Sequence, residues 1–424
     1  MSGPAPVRHP THFDEGRLDP DAIRVVRRLT AAGFEAYIVG GAVRDLLLGR
    51  RAKDFDIATS ARPEDVKRVF RQNCRIIGRR FRLAHVFFSW GGRQYEVATF
   101  RKQPVGIADA DDLDPDLLIR NDNVFGDSHE DATRRDFTIN ALFYDFDRQE
   151  ILDWTNGLED IHRRVIRTIG DPDVRFREDP VRIFRAIKFA ARLDFGIDPD
   201  VYDAMVAHRD ELYRAARPRV FEEILRLLRG GAARRSIYLA WDTGTLGVVL
   251  PELSSYLDDA ATDDTAANRV FRALGEIDRI TADRGSPPDD SVLLAALLRE
   301  PIREWAQGAK TREEWRSAVD EKVSDIAERV AITRRIAEGL VRLYAAEMRI
   351  RAGRTGGFLA TPLGPMAVDL AAITAAADGA SEREIARIRA IQLPAAPEGQ
   401  RAAPRHDSAP RVVRTQRRER APRF

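Results

Sequence analysis

Cysteine is nearly absent. Cys74 is the only one in 424 residues, so neither an internal disulfide nor a cysteine-rich zinc cluster can form, and a reducing compartment fits. Long apolar runs are missing too: no stretch approaches the ~18 to 20 residues of a membrane span. Met1–Pro20 contains no apolar core of a secretory signal, so a soluble, cytoplasmic protein is expected. No repeat of fixed period is visible. Net charge is also close to absent, with 69 basic and 67 acidic side chains summing to +2. That balance conceals an asymmetry. Residues 394–424 hold eight arginines against Glu398, Asp407 and Glu419, a charge of +5 that leaves −3 for everything before them. A detached basic tail points to a polyanion.

Hydrophobic residues make up 44% of the chain, enough for real cores, and the length suggests two to four domains at roughly 100 to 200 residues each. Ala22, Val25, Val26 and Leu29 recur at helical spacing, with Gly33 as the C-cap and Ala36 to Val39 as a short strand. Arg82 to Phe88 and Gln94 to Phe100 read as strands joined at Trp90, Gly91 and Gly92, and Ile139 to Phe146 reads as another. Beyond Leu158 the strand signals fade. Val181, Phe184, Ile187 and Ala191 share one helix face, and similar stripes run at Val220–Leu228, Val292–Leu298, Val323–Leu343 and Ala367–Ala377. Glycine and proline clusters at 285–288 and 353–365 connect helices. Residues past Leu393 are Pro, Ala and Arg with almost no large apolar side chains, so disorder is expected there. The class is α+β.

The most informative stretch runs from Val39 through Gly40-Gly41-Ala42-Val43-Arg44-Asp45 to Asp54-Phe55-Asp56. A strand ending in paired glycines and opening a helix lets backbone N–H groups approach an anion, and Arg44 adds a charged fork for phosphate. It is neither the Walker loop nor the dinucleotide fingerprint, which need Gly-Lys-Ser/Thr and a third spaced glycine. In a strand, Asp54 and Asp56 would point to one face, and adjacent carboxylates repel unless a cation such as Mg²⁺ sits between them. A lone Asp-x-Asp reads better as two solvated loop aspartates; the glycine loop just before it favours the metal. Glu96, in the apolar strand Tyr95–Phe100, could complete such a site, although one outward glutamate on a half-buried strand looks the same.

These residues carry a resemblance. Gly40 to Asp45 with Asp54-Phe55-Asp56 resembles the catalytic head of the DNA polymerase beta nucleotidyltransferase superfamily. It is most similar to the class II branch that holds bacterial poly(A) polymerases and tRNA CCA-adding enzymes. The likeness continues through Arg134-Arg135-Asp136-Phe137-Thr138-Ile139-Asn140-Ala141 and Arg177-Glu178-Asp179-Pro180-Val181-Arg182-Ile183-Phe184-Arg185-Ala186, and covers residues about 35 to 230. It implies that Asp54 and Asp56 hold two catalytic Mg²⁺ ions, with Glu96 in the place of a third acidic residue. It implies that Gly40, Gly41 and Arg44 bind the triphosphate of ATP, that Arg135 contacts phosphate and ribose, and that Asp136 is catalytic. The expected organisation is a flexible N-terminus over 1–20, a mixed-sheet head over 21–156, a helical neck over 157–240 with the nucleotide-selecting helix, an elongated helical body over 241–393 and the tail over 394–424.

The neck helix, expected over Glu178 to Arg192, can also be read directly. Arg182, Arg185, Lys188 and Arg192 lie opposite its apolar face, as an ordinary solvated stripe would. Asp179, one turn before Arg182, offers more: a carboxylate beside a guanidinium matches the amine and unprotonated ring nitrogen that adenine and cytosine share, and rejects guanine and uracil. The pair does not separate poly(A) from CCA addition. Ile76-Ile77-Gly78-Arg79-Arg80-Phe81-Arg82-Leu83-Ala84-His85-Val86 resembles a poly(A) polymerase signature, and Asp122-Asn123-Val124-Phe125-Gly126 is similar to that branch, although Arg79, Arg80 and Arg82 also read as a basic strand edge. The expectation is an adenylyltransferase acting on RNA 3′ ends, mRNA or tRNA-like, with a CCA-adding enzyme as the alternative. A catalytically silent RNA binder would lack the carboxylates that Asp54, Asp56 and Asp136 supply. The basic tail fits RNA by counterion release. His406-Asp407, lacking partner histidines there, reads as chance.

Overall fold

The computed structural model describes residues 4–78, 82–88, 92–103, 124–260 and 264–393. Arg79, Arg80, the Trp90-Gly91 turn, Asp122-Asn123 and the arginine-rich tail lie outside the described residues. Eight strands form one mixed sheet: β1 (Val7–Pro10), β2 (Ala36–Val39), β3 (Asp56–Thr59), β4 (Cys74–Ile77), β5 (Leu83–Phe87), β6 (Gln94–Thr99), β7 (Phe143–Asp145) and β8 (Glu150–Asp153). Their order is β1-β8-β7-β2-β3-β6-β5-β4, antiparallel throughout except for the β3–β6 pair. Strand alternation sorts the two faces. Ile38, Ile57, Val97, Tyr144 and Ile151 enter the main core, while Val39, Ala58, Phe143 and Leu152 pack with Phe100 and Ala132 on the other side.

The first helices belong to the sheet: α1 (Pro20–Ala31), α2 (Gly41–Leu47), α3 (Pro63–Phe70) and α4 (Ser128–Thr133). On α1 the spacing is realised in full, because Ala22, Val25, Val26 and Leu29 are its buried residues, Asp19 caps its first N–H groups, and Gly33 follows at φ 85°. Then come α5 (Gly157–Arg163), α6 (Pro172–Glu178), α7 (Arg182–Leu193), α8 (Pro199–His208) and α9 (Arg217–Arg229). The rest is helical: α10 (Ala233–Asp242), α11 (Thr245–Val249), α12 (Pro251–Ala260), α13 (Asp264–Arg284), α14 (Asp290–Trp305), α15 (Arg312–Val330), α16 (Arg334–Arg351), α17 (Leu363–Ala377) and α18 (Glu382–Arg389). One continuous core runs from the sheet into these helices.

Three local expectations are corrected. Glu178 to Arg192 is not one helix: Asp179 stands at φ −152°, ψ 88° between α6 and α7, because the ring of Pro180 disfavours helical backbone in the residue before it. The stretch from Ile139 becomes a strand only at Phe143, since Thr138–Asn140 forms a 3₁₀ turn whose Asn140 is held by Arg44 and Asp136. Asp54 lies outside β3, which begins at Asp56, so the two aspartates do not share a regular strand face. Short strands at Val165–Ile166 and Gly196–Ile197, paired with each other, also interrupt the helical region.

Candidate active site

The register of β2 and β3 builds one wall of a cleft. Val39 pairs with Asp56, so the Gly40 turn and the first residue of β3 emerge side by side. Gly40 has φ 69° and ψ −128°, and a Cβ there would stand 3.1 Å from Arg135 Nη1. The backbone therefore requires glycine, and with any side chain there the Arg135 fork would have to give by a few tenths of an ångström. The cleft, of about 400 Å³, is lined by Gly40, Gly41, Arg44, Asp56, Arg135, Asp136, Asp179, Arg182 and Arg185 together with Arg134, Asn140, Phe189 and Arg219. Of the residues expected from the sequence, only Asp54 and Glu96 stand outside that lining.

The carboxylates at its mouth are under electrostatic stress. Parallel pairing of Ile57 with Val97 sets Glu96, one residue earlier on β6, beside Asp56. Asp56 remains accessible to solvent, yet the protein mass around it pushes its carboxyl up to about 6, with Glu96 and Asp54 adding to the effect and Arg135 opposing it. The Asp54 side chain is 89% exposed and lies 3.9 Å from Arg93, while Glu96 lies 3.6 Å from the His85 ring. As placed, no three His, Cys, Asp or Glu side chains among the described residues converge on one cation position.

Every arginine in the cleft is steered by a carboxylate. Arg44 is buried and donates from Nε and Nη2 to Asp45 Oδ1 at 3.0 and 2.7 Å and from Nη1 to Asn140 Oδ1 at 2.5 Å, so much of its fork serves the loop itself. Asp131 on α4 accepts from Arg134 Nε at 3.2 Å and Arg135 Nη2 at 2.9 Å. Glu178 takes Arg175 at 2.9 Å and Arg182 at 2.8 Å on the same oxygen. Arg182 is thus buried rather than part of a solvated stripe. Asp179 pairs not with Arg182 but with Arg219 on α9, at 2.6 Å.

Asp136 and Arg185 form the tightest of these pairs. Asp136 Oδ1 accepts the Phe137 N–H at 2.9 Å and the Asn140 amide at 3.2 Å, while Oδ2 accepts Arg185 Nε at 2.6 Å. Burial would raise this carboxyl, but the Arg185 charge and the three donors outweigh it and bring it to about 2. Lys188, one turn further along α7, is pushed down to about 8 by burial and by the like charge of Arg185, which favours its neutral form. Sequence reasoning missed Asp131, Asn140, Phe189 and Arg219. The i, i+3 and i, i+4 spacing of Asp131 to Arg134 and Arg135 was a readable signal for the first; Arg219 arrives from another helix and had none.

Comparisons with known proteins agree with this architecture. A family model described as the poly A polymerase head domain matches residues 36–167, and one described as a probable RNA and SrmB-binding site of polymerase A matches residues 194–257. Poly(A) polymerase I of Salmonella typhimurium is 35% identical, over 96% of this chain and 90% of its own. A CCA-adding enzyme of Lactobacillus helveticus is 39% identical over 52% of this chain and 53% of its own. Among solved structures, the Bacillus stearothermophilus CCA-adding enzyme in complex with CTP superposes with a TM-score of 0.63 at 27% identity, over 88% of this chain and 82% of that one. No described helix is long and apolar enough to cross a membrane. With its mixed-sheet head, helical continuation and arginine-lined cleft, the chain belongs to the class II tRNA nucleotidyltransferase/poly(A) polymerase family of nucleotidyltransferases.

Proposed function

We propose that the protein is a template-independent polynucleotide adenylyltransferase that adds AMP from ATP to RNA 3′ ends in the cytoplasm, serving RNA polyadenylation and turnover. The observation that carries nucleotidyl transfer is the single cleft in which Gly40, Asp56, Arg135, Asp136, Arg182 and Arg185 meet. The choice of adenylate rests on extent: poly(A) polymerase I of Salmonella typhimurium aligns with 96% of the chain, the Lactobacillus CCA-adding enzyme with 52%.

The turn at Gly40 and Gly41 lets the backbone approach the triphosphate, and Arg135, held by Asp131, stands beside that turn and adds its guanidinium. Arg182, anchored through Nη1 on Glu178, and Asp179, held through Oδ2 by Arg219, present a donor and an acceptor to the amine edge of adenine. Asp136, its carboxyl brought down to about 2 by Arg185, Asn140 and the Phe137 N–H, stays ionised at neutral pH and holds Arg185 in the cleft. The oxygen donors of Asp54, Asp56 and Glu96 suit Mg²⁺, and the repulsion from Glu96 and Asp54, which adds to burial in raising Asp56, is what a divalent cation relieves. When bound, a pair of such ions lowers the pKa of the attacking 3′-hydroxyl and neutralises the triphosphate.

CCA addition to tRNA is the second reading, favoured by the likeness to the CTP-bound structure and by a base-reading pair that suits cytosine as well as adenine. Purified protein given an mRNA-like RNA or a tRNA lacking CCA, with one labelled nucleotide at a time, separates them. Long runs of AMP on the mRNA-like RNA are expected; vigorous CTP incorporation that stops after three additions overturns the adenylyltransferase reading. Replacing Asp54 and Asp56 by Ala should abolish addition while RNA binding persists, and retained activity would sink the metal assignment.

A further inference from the structure

A second cavity lies in the helical body, beyond the reach of either family match, the last of which ends at residue 257. It encloses about 440 Å³ between the start of α15, the middle of α16 and the 3₁₀ turn Gly357–Ala360. Trp315 and Arg316 stand one helical turn after Arg312 on α15, and Arg342, Ala345 and Arg349 follow one another at turn spacing on α16. Trp315 and Phe358 are half-buried, packed on the core yet lining the cavity. The Arg349 guanidinium lies 4.8 Å from the Phe358 ring centre. Arg312, Arg316, Arg342 and Arg349 are exposed, and Glu313 is the acidic residue in the lining. Ala345 keeps the floor open.

Flat aromatic surfaces ringed by guanidinium groups match one ligand chemistry, an unpaired base with its flanking phosphates. The arginine-rich tail of this chain carries the same sign of charge as the groove and does not suit it as an occupant. We propose that this groove is a second RNA site, holding a nucleotide of the primer strand upstream of the reacting 3′ end. The assignment rests on the nucleotidyltransferase reading only for the identity of RNA as substrate.

Binding of fluorescent oligoadenylates of graded length to the full chain, without nucleoside triphosphate, tests it. Trp315→Ala and the groove-filling Ala345→Trp should weaken long oligomers by roughly 5-fold to 150-fold, the range for one stacked base, and leave trinucleotides unaffected. Arg316→Glu with Arg349→Glu, both on exposed positions, should also lower the slope of log affinity against log salt by ~0.7 for each phosphate the variant no longer neutralises. Unchanged affinity and slope in the charge-reversed protein, with an unaltered circular dichroism spectrum, would overturn the proposal. So would equal losses for trinucleotides and long oligomers, which would place the effect in the catalytic cleft. Binding of poly-aspartate as tight as oligoadenylate and indifferent to Trp315→Ala would identify an acidic protein surface as the ligand, and overturn it too. No catalysis is needed, so failure here leaves the reading of the cleft intact, and an enzyme that adds CCA would still register.

Discussion

Replacing Asp136 by Asn removes one negative charge from the most tightly paired carboxylate in the cleft and leaves its shape. The folded protein holds this carboxyl at about 2 rather than 3.8: burial acts to raise it, and Arg185, Asn140 and the Phe137 N–H more than reverse that. The difference amounts to about 2.5 kcal/mol of preference for the charged form. Because the folded value lies below the unfolded one, that stabilisation is complete above about pH 5 and is lost as pH falls through about 2, with about half gone by pH 3. Asn cannot carry the charge, so Arg185 is left without its counter-ion. Its side chain is 34% exposed, and water there softens the loss, which places the cost at about 2 to 3 kcal/mol, toward the low end for a broken buried pair. Urea unfolding of both proteins, followed by circular dichroism from pH 7 to pH 3, reads the difference directly. The gap should be largest at neutral pH and fall by about half at pH 3. A gap that does not change with pH, or one under about 0.5 kcal/mol at pH 7, the scatter of ordinary surface substitutions, would refute the account of this pair.

Gly40→Ala forces a left-handed residue at about 1 to 2 kcal/mol and sets a methyl against Arg135, so KM for ATP should rise about tenfold in steady-state assays. Lys188→Met should stabilise the protein at pH 7. The lysine titrates at about 8 when folded against 10.5 unfolded, so wild-type stability should rise between those pH values, by at most about 3 kcal/mol, while the variant stays flat in urea titrations. Arg219→Ala releases Asp179, and competition between ATP and GTP should show selectivity falling roughly tenfold with little change in thermal melting.

How far the sequence alone could be read depended on the range of each interaction. The α1 stripe and the Gly40 turn are local patterns, and the structure reproduces them because period and turn chemistry act within a few residues. The strands β1, β4 and β8 were not anticipated. Val7–Pro10 has no strong alternation and is a strand only because Glu150–Asp153 pairs with it from across the head. The helix break at Asp179 was readable in principle from Pro180, but the amphipathic stripe that runs through it masked the signal. Arg219 could not be placed at all, since its partner Asp179 lies 40 residues away, in the break between α6 and α7.

Net charge says little about this cleft, because carboxylates hold its arginines. A group of arginines with no counter-charge would repel one another and, where buried, lose their hydration. Here Asp45 holds Arg44, Asp131 holds Arg134 and Arg135, Glu178 holds Arg182, Asp136 holds Arg185 and Asp179 holds Arg219. Each carboxylate occupies one part of a guanidinium and so fixes where the remaining N–H groups point. Charge of both signs therefore accumulates along the same few helices and cancels in the total, while the donors left over still converge on the cleft. The body groove is built the other way. There Arg312, Arg316 and Arg349 are exposed around aromatic rings, so they need no carboxylate to stay folded. Phosphate binding of that kind weakens with salt, whereas the carboxylate-held arginines of the cleft respond first to acid.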